Sequence, residues 1–489
     1  MSPLTKPFPG EKLPWYYKFF FGLGDFLGGG SFVLIGVYYT IFLTDVVYLG
    51  FIFITLNMVI AKVWDAITDP LMGILSDKTK SRWGRRRVYF IIAILPVAIS
   101  FFLMWLPLKV GENQENQIGI FIYFLVTHLF FRTVFTMVMI PFNAIIPELT
   151  TDYDERSSIS GYRGVFSIFS SLLSAALPGL IVAKFTDAGT GHAVMAGIFG
   201  LFYALPFISS FFFSYERPEY QRSKPLPFWE SFKESSRNRS FLYLLGLYIF
   251  AFVAFDILMA TFLYFLKYYL GRESMGSALL GTLLFVEMIF LPVYIVIANR
   301  TSKKTSMTIG LIIWGVAMST AWFFPADIPN TFLYAYAFVV GMGTSAVAIL
   351  PWAMLPDISD VDELMTGKRR EGVYAGFFTF IRKISSGLAL AAIPLCLGFA
   401  DYDGKLDVQG EEAVKMIRIL FSIVPILFII VTVYFTTKFP LNSHTHAVCM
   451  NEIRRRKGDD YDDMGLSEEE KERILTALTG SPDRWKGKA

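Results

Sequence analysis

The sequence predicts an all-α membrane protein whose twelve spanning helices form two pseudo-symmetric six-helix bundles. Three observations predict it. Of 489 residues, 54% are hydrophobic and 17% aromatic against 17% charged, a balance too apolar for a soluble protein of this length. Apolar stretches of roughly 20 residues, the length that crosses ~30 Å of hydrocarbon, recur along the whole chain between short polar breaks. Features of the first half also return at matching spans of the second.

The spans read as residues 17–43, 50–76, 88–107, 118–146, 158–183, 193–215, 241–269, 276–298, 306–325, 331–355, 372–399 and 415–438. The first lacks a small-x-small cleavage site after a short apolar core, so it reads as a retained helix and not a signal peptide. The net charge of +3 says little, because orientation follows the placement of Lys and Arg among short loops. Lys78, Lys80, Arg82, Arg85, Arg86 and Arg87 follow the second span, and Arg217, Arg222, Lys224, Lys233, Arg237 and Arg239 follow the sixth. Arg300, Lys303 and Lys304 follow the eighth, and Lys368, Arg369 and Arg370 the tenth, whereas the opposite loops hold mainly Lys109, Lys184, Arg272 and Lys405. This alternation predicts a multi-pass protein of the cell membrane with both termini cytoplasmic.

The basic runs are short and wedged between spans, which excludes nucleic acid as their partner. Cys396 lies inside the eleventh span and Cys449 in the tail, and the four histidines are scattered, so no disulfide or zinc pattern is available. No HExxH, GxxxxGK or GxSxG occurs, which argues against a membrane hydrolase or ATP-driven pump, and so against an enzyme or a bound cofactor.

The internal repeat is seen where Pro141-Phe142-Asn143 runs to Pro147-Glu148, then an acidic loop, then Gly161-Tyr162-Arg163-Gly164. Pro351-Trp352-Ala353 runs likewise to Pro356-Asp357, a second acidic loop, then Tyr374-Ala375-Gly376. Two six-helix bundles follow, at 1–215 and 241–438, joined by a cytoplasmic connector at 216–240 and followed by a cytoplasmic tail at 439–489. In that polar, solvated tail Ser467 before Glu470 reads as the cap of a short helix.

Asp65 and Asp69 sit four apart in the second span and share one helix face, with Lys62 one turn earlier. Carboxylates inside a span are costly unless they face protein or water and have a partner, so they are candidates for function. The alternative is structural, with Asp65 paired to Lys62 and Asp69 capping the cytoplasmic end. Counting at 1.5 Å per residue puts Asp65, Thr136 and Lys383 each roughly 15–18 Å from the cytoplasmic boundary, near the bilayer midplane. Asp65 and Asp69 with the hydroxyls of Thr68 and Thr136 would make an all-oxygen cage for sodium, or a carboxylate pair for a proton. Lys383 would balance their charge or meet a solute.

Lys62-Val63-Trp64-Asp65-Ala66-Ile67-Thr68-Asp69-Pro70 with Ser81-Arg82-Trp83-Gly84-Arg85-Arg86-Arg87, and Asp360-Val361-Asp362-Glu363 through Arg370-Glu371-Gly372 to Arg382-Lys383, carry a family likeness. They resemble the glycoside-pentoside-hexuronide:cation symporters, the melibiose permease group of the major facilitator superfamily. The resemblance implies a cation site at Asp65, Thr68, Asp69 and Thr136, with sodium or a proton as coupling ion. It also implies Lys383 coupled to that site, Arg163 lining the cavity, and symport of a sugar, glycoside or uronide by a monomer. Thr68 stands where the family often has Asn. Gly29, Met139 and Asn143 stand where melibiose permease has its galactoside-binding aspartates and tryptophan, so galactoside specificity does not carry over.

Asp25, one turn before Gly29, and Arg132, one turn before Thr136, are the remaining candidates for solute contact beside Arg163, Asn143 and Lys383. Several cationic groups about one cavity point to a solute bearing a carboxylate or sulfonate. Arg85 is a candidate for closing a cytoplasmic gate against acidic loops that include Asp357 and Asp360. Two other readings stay open: a lysophospholipid symporter with the same signature, and a receptor or scaffold that uses the fold without transport.

Overall fold

The computed structural model describes residues 12–108, 116–150, 153–216, 233–367, 370–458 and 464–486. Most of the expected connector, 217–232, lies outside them, as do Lys109, Arg217, Arg222, Lys224, Lys368 and Arg369 of the basic loops.

Among the described residues the regular elements are helical. In chain order the apolar helices are α1 (Trp15–Asp45), α2 (Phe51–Lys78), α3 (Arg87–Ile92 continued by Ile94–Leu103), α4 (Gln117–Ala144), α5 (Tyr153–Val182) and α6 (Ala188–Phe212). The second series is α7 (Arg239–Tyr269), α8 (Gly276–Arg300), α9 (Lys303–Ala321), α10 (Asn330–Thr366), α11 (Glu371–Phe399) and α12 (Glu411–Lys438). Ten of these segments are long and apolar enough to cross a membrane by themselves. The other two are α3, interrupted at Ala93, and α9, which opens on Lys303 and Lys304. α1 and α7, the first helices of the two sequence halves, each contain one wider π turn, at Ile35–Tyr39 and Phe265–Tyr269.

α10 departs from expectation. The sequence predicts a span ending near 355 and an acidic loop, but the helix runs on through Pro351 and Pro356 to Thr366 and stops at Gly367, whose φ is +69°. A helix continues past proline when the rest of the turn is held, and here the acidic side chains hold it. Lys303 binds Asp357, His446 binds Asp360, Arg370 and Tyr374 bind Asp362, and Lys457 binds Glu363. Glycine then supplies the left-handed residue that caps a helix C-terminus.

The tail also corrects the sequence reading. It is not a solvated appendage: α13 (Ser443–Lys457) and α14 (Glu468–Thr479) bury Val448, Cys449, Ile453, Leu475 and Leu478. Each such side chain contributes about 1.5–3 kcal/mol when removed from water. Both helices open with a reciprocal cap, Asn442 with Thr445 and, as the sequence suggested, Ser467 with Glu470. Ser240 Oγ donates to the carbonyl of Leu478 at 2.8 Å, and Arg456 to that of Leu364 at 3.0 Å, tying the tail to α7 and α10.

The chain divides into two compact units that do not follow the two sequence halves. Unit one takes residues 1–224 with 259–284 and 387–417; unit two takes 225–258, 285–386 and 418–489. In unit one α1 lies tight against α5, where a Cβ on Gly29 would stand 2.3 Å from the carbonyl oxygen of Ser167. No side chain fits there, let alone the carboxylate that a galactoside site would need. Ser170 Oγ reinforces the contact by donating to the carbonyl of Phe26 at 2.7 Å.

Candidate functional site

α2 and α4 of unit one meet along a seam of residues at helical four-residue steps: Asn57, Asp65 and Asp69 on one, His128, Arg132 and Thr136 on the other. Trp64 Nε1 donates to Thr133 Oγ1 at 2.8 Å and fixes the register beside it. Thr136 Oγ1 donates to Asp69 Oδ1 at 2.8 Å. Arg132 Nη1 lies 3.6 Å from Asp65 Oδ2, and the other oxygen, Oδ1, is buried with no hydrogen-bond donor. The partner seen at Asp65 is Arg132, and the stem of Lys62 lies against Gly387, within 2.1 Å of where a Cβ would stand. Thr68 Oγ1 donates to the carbonyl of Trp64 at 2.9 Å, leaving its lone pairs as acceptors.

One end of the seam is a chain of polar contacts that runs from Arg132 to two residues, His128 and Asn57, that sequence reasoning left without a role. Arg132 Nε donates to His128 Nε2 at 3.3 Å, and His128 Nδ1 meets Asn57 Oδ1 at 2.6 Å. Because Nε2 accepts, the ring is neutral and its proton sits on Nδ1, donated to Asn57. Asn57 was legible only as a polar residue two four-residue steps before Asp65, on the face that Asp65 shares with Asp69.

A second group joins α1, α4 and α5. Arg163 Nε donates to Asp25 Oδ2 at 2.6 Å and Arg163 Nη2 to Asn143 Oδ1 at 2.6 Å, with the guanidinium 4.6 Å from the Phe142 ring centroid. Three of the sequence candidates for solute contact thus form one hydrogen-bonded set, in which Asn143 is exposed.

Unit two holds further charges inside its helices. Asp256 receives both arms of Arg382, at 2.7 and 2.8 Å, and Glu287 accepts from Thr344 Oγ1 at 3.0 Å. Lys383 follows Arg382 on α11 and is half-buried in this unit. The gate candidates are found with partners in their own units: Arg85 donates to Glu148 at 2.6 Å in unit one, and Asp357 and Asp360 bind Lys303 and His446 in unit two.

A cluster not foreseen lies at the end of α1, also within unit one. Asp45 accepts from Lys267 Nζ at 2.7 Å, Tyr268 OH at 2.5 Å, Tyr402 OH at 2.6 Å and Thr44 Oγ1 at 2.7 Å, while Thr44 Oγ1 also meets Tyr264 OH at 2.8 Å.

The seam offers carboxylate and hydroxyl oxygens, buried at Asp65 and Thr136 and half-buried at Asp69 and Thr68, the donor set of a hard monovalent cation or a proton. Comparison with known proteins sets this in context. The sequence profile of the MFS/sugar transport protein family matches residues 20–443. The chain belongs to that family. An uncharacterised symporter of Synechocystis sp. is 26% identical across 94% of this chain and 100% of its own length. The sodium-dependent lysophosphatidylcholine symporter 1 of Gallus gallus is 25% identical over 83% of each chain, and the isoprimeverose transporter of Lactiplantibacillus pentosus 25% over 87% of this chain and 89% of its own. Among solved structures, a D-xylose-proton symporter superposes with a TM-score of 0.64 at 15% identity, covering 86% of this chain and 97% of that one. A bacterial homolog of the human lysosomal transporter Spinster gives 0.61 at 14% identity, over 92% and 98%. The protein is a multi-pass membrane transporter with the major facilitator fold.

Proposed function

We propose that this family member is a symporter that couples a small polar solute, a sugar, glycoside or uronide, to sodium or a proton by alternating access. One observation carries the reading: Asp65 is buried in the α2–α4 seam with an oxygen that no donor reaches, one turn from an Asp69 already joined to Thr136. A buried oxygen of this kind is costly, and a cation relieves it. Asp65, Asp69, Thr136 and Thr68 are the proposed cation ligands. The set of Asp25, Arg163 and Asn143 is the proposed solute contact, with Lys383 and Arg132 as coupling residues. Relatives named for a lysophospholipid and for a sugar match at the same identity. The hydrogen-bonded set around Arg163 favours the polar solute, and since Asp25 already neutralises Arg163 it supplies no preference for a solute bearing a carboxylate.

We further assign both termini to the cytoplasm, from the basic loops, and gating to Arg85, Asp357 and Asp360, which must exchange their present partners to serve it. Uptake into proteoliposomes under imposed sodium or proton gradients tests the function, with neutral glycosides, uronides and lysolipids offered in turn. Gradient-driven uptake of a sugar or uronide, lost in Asp65→Asn and in Asp69→Asn, is expected. Uptake indifferent to both gradients removes the cation, and uptake of lysolipids alone removes the sugar.

A further inference from the structure

We propose that Arg132 is a tethered competitor for the coupling cation, positioned by His128 and Asn57, and that it sets both the affinity of the site and its preference for a monovalent ion. The inference rests on the cation reading of Asp65 and Asp69 and adds a residue that controls it. Arg132 is buried, and its two ends face different partners. Nε is engaged by His128 at 3.3 Å, while Nη1 stops 3.6 Å from Asp65 Oδ2, outside hydrogen-bond range. The tether explains the gap. His128 is itself held by Asn57 at 2.6 Å and packs against the Tyr39 ring, with centroids 5.3 Å apart, so the guanidinium cannot advance without giving up its Nε bond.

The consequence is a carboxylate that feels a fixed positive charge without being satisfied by it. Arg132 sets one fixed positive charge against the carboxylates of Asp65 and Asp69, and a divalent ion at Asp65 meets that repulsion twice as strongly as a monovalent one. Any ion that binds Asp65 must do so against the repulsion of the guanidinium. Its affinity is therefore held down, which favours release once the site opens.

The test uses the purified full-length protein in nanodiscs, with sodium chloride, choline chloride and calcium chloride as probes and no solute present. Arg132→Gln keeps hydrogen-bonding capacity at that position and removes the charge. Sodium binding, read by calorimetry, is expected to tighten roughly tenfold, within the range of coupling between interacting sites, and calcium is expected to begin competing with sodium. His128→Leu should act in the opposite direction: Nε loses its acceptor, the guanidinium turns to Asp65, and sodium binding weakens severalfold. His128→Gln, which can accept from Arg132 and donate to Asn57, should restore the original affinity. A merely structural role for His128 would not produce opposite signs in the two residues or rescue by Gln. Unchanged sodium affinity in Arg132→Gln, with binding still abolished in Asp65→Asn, overturns the proposal and leaves the cation site standing. Sodium binding that survives in Asp65→Asn overturns the site itself, and the role of Arg132 falls with it.

Discussion

Asp45 and Asp65 are two carboxylates of the same compact unit, with side chains only 6% and 5% exposed, and they are treated in opposite ways. Asp45 is saturated: an ammonium, two phenols and a threonine hydroxyl all lie within 2.7 Å. Asp65 has one cation at 3.6 Å and one oxygen that no donor reaches. Burial of a carboxylate is tolerated when its lone pairs are filled, and the filled one then stabilises the fold. The unfilled one is a standing cost that a ligand can offset. Saturation, more than burial or charge, separates the fastener from the binding site.

The largest effect that this contrast predicts is at Asp45. Asp45→Ala strands the Lys267 ammonium and frees Tyr268 and Tyr402, which for a broken buried ion pair costs about 3–5 kcal/mol. Thermal unfolding in detergent should show it as a large fall in midpoint, and a loss below about 1 kcal/mol would place the cluster with ordinary surface pairs. Asp65→Asn should change stability by no more than about 1 kcal/mol in either direction, because the contact it removes is long and unsaturated. It should also abolish the rise in midpoint that sodium gives the native protein, since a ligand stabilises only the state it binds. Equal destabilisation by the two substitutions would erase the distinction.

How far each site was legible follows from where its partners lie. Asp65 and Asp69 stood out because charge inside an apolar run is visible without knowing the fold, and depth counting placed Thr136 level with them; the structure puts Thr136 on Asp69. Asp25, Arg163 and Asn143 were named separately and turn out to be one set. Asp45 escaped notice since it ends a span, where a charge normally meets water, and its partners Lys267 and Tyr402 are 222 and 357 residues away. The twelve spans were readable from hydropathy, but the run of α10 past Pro351 and Pro356 was not, because it depends on Lys303, Arg370, His446 and Lys457 binding its acidic end. Polarity hid the docked tail for a similar reason: α13 buries only a narrow stripe through Val448, Cys449 and Ile453.

A third carboxylate sharpens the comparison with the smallest effect, because its partner can be switched by pH. Asp360, on the extended end of α10, meets His446 Nε2 of α13 at 2.8 Å. The hydrogen bond to Asp360 raises the His446 pKa above its ordinary 6.5; burial opposes this, the charges of Asp357 and Asp360 add to it, and Lys303 subtracts. A folded-state pKa above the unfolded one means that the protonated ring favours the docked tail. The contribution is complete below the unfolded value of 6.5 and is lost as pH rises through the higher folded value. The unfolding midpoint of the native protein minus that of His446→Gln should therefore be largest below pH 6.5 and shrink as pH rises above it through the raised folded value. Because the ring is partly exposed, the change should be well below that of Asp45→Ala. A difference that stays constant as pH rises would show that His446 docks as a neutral ring.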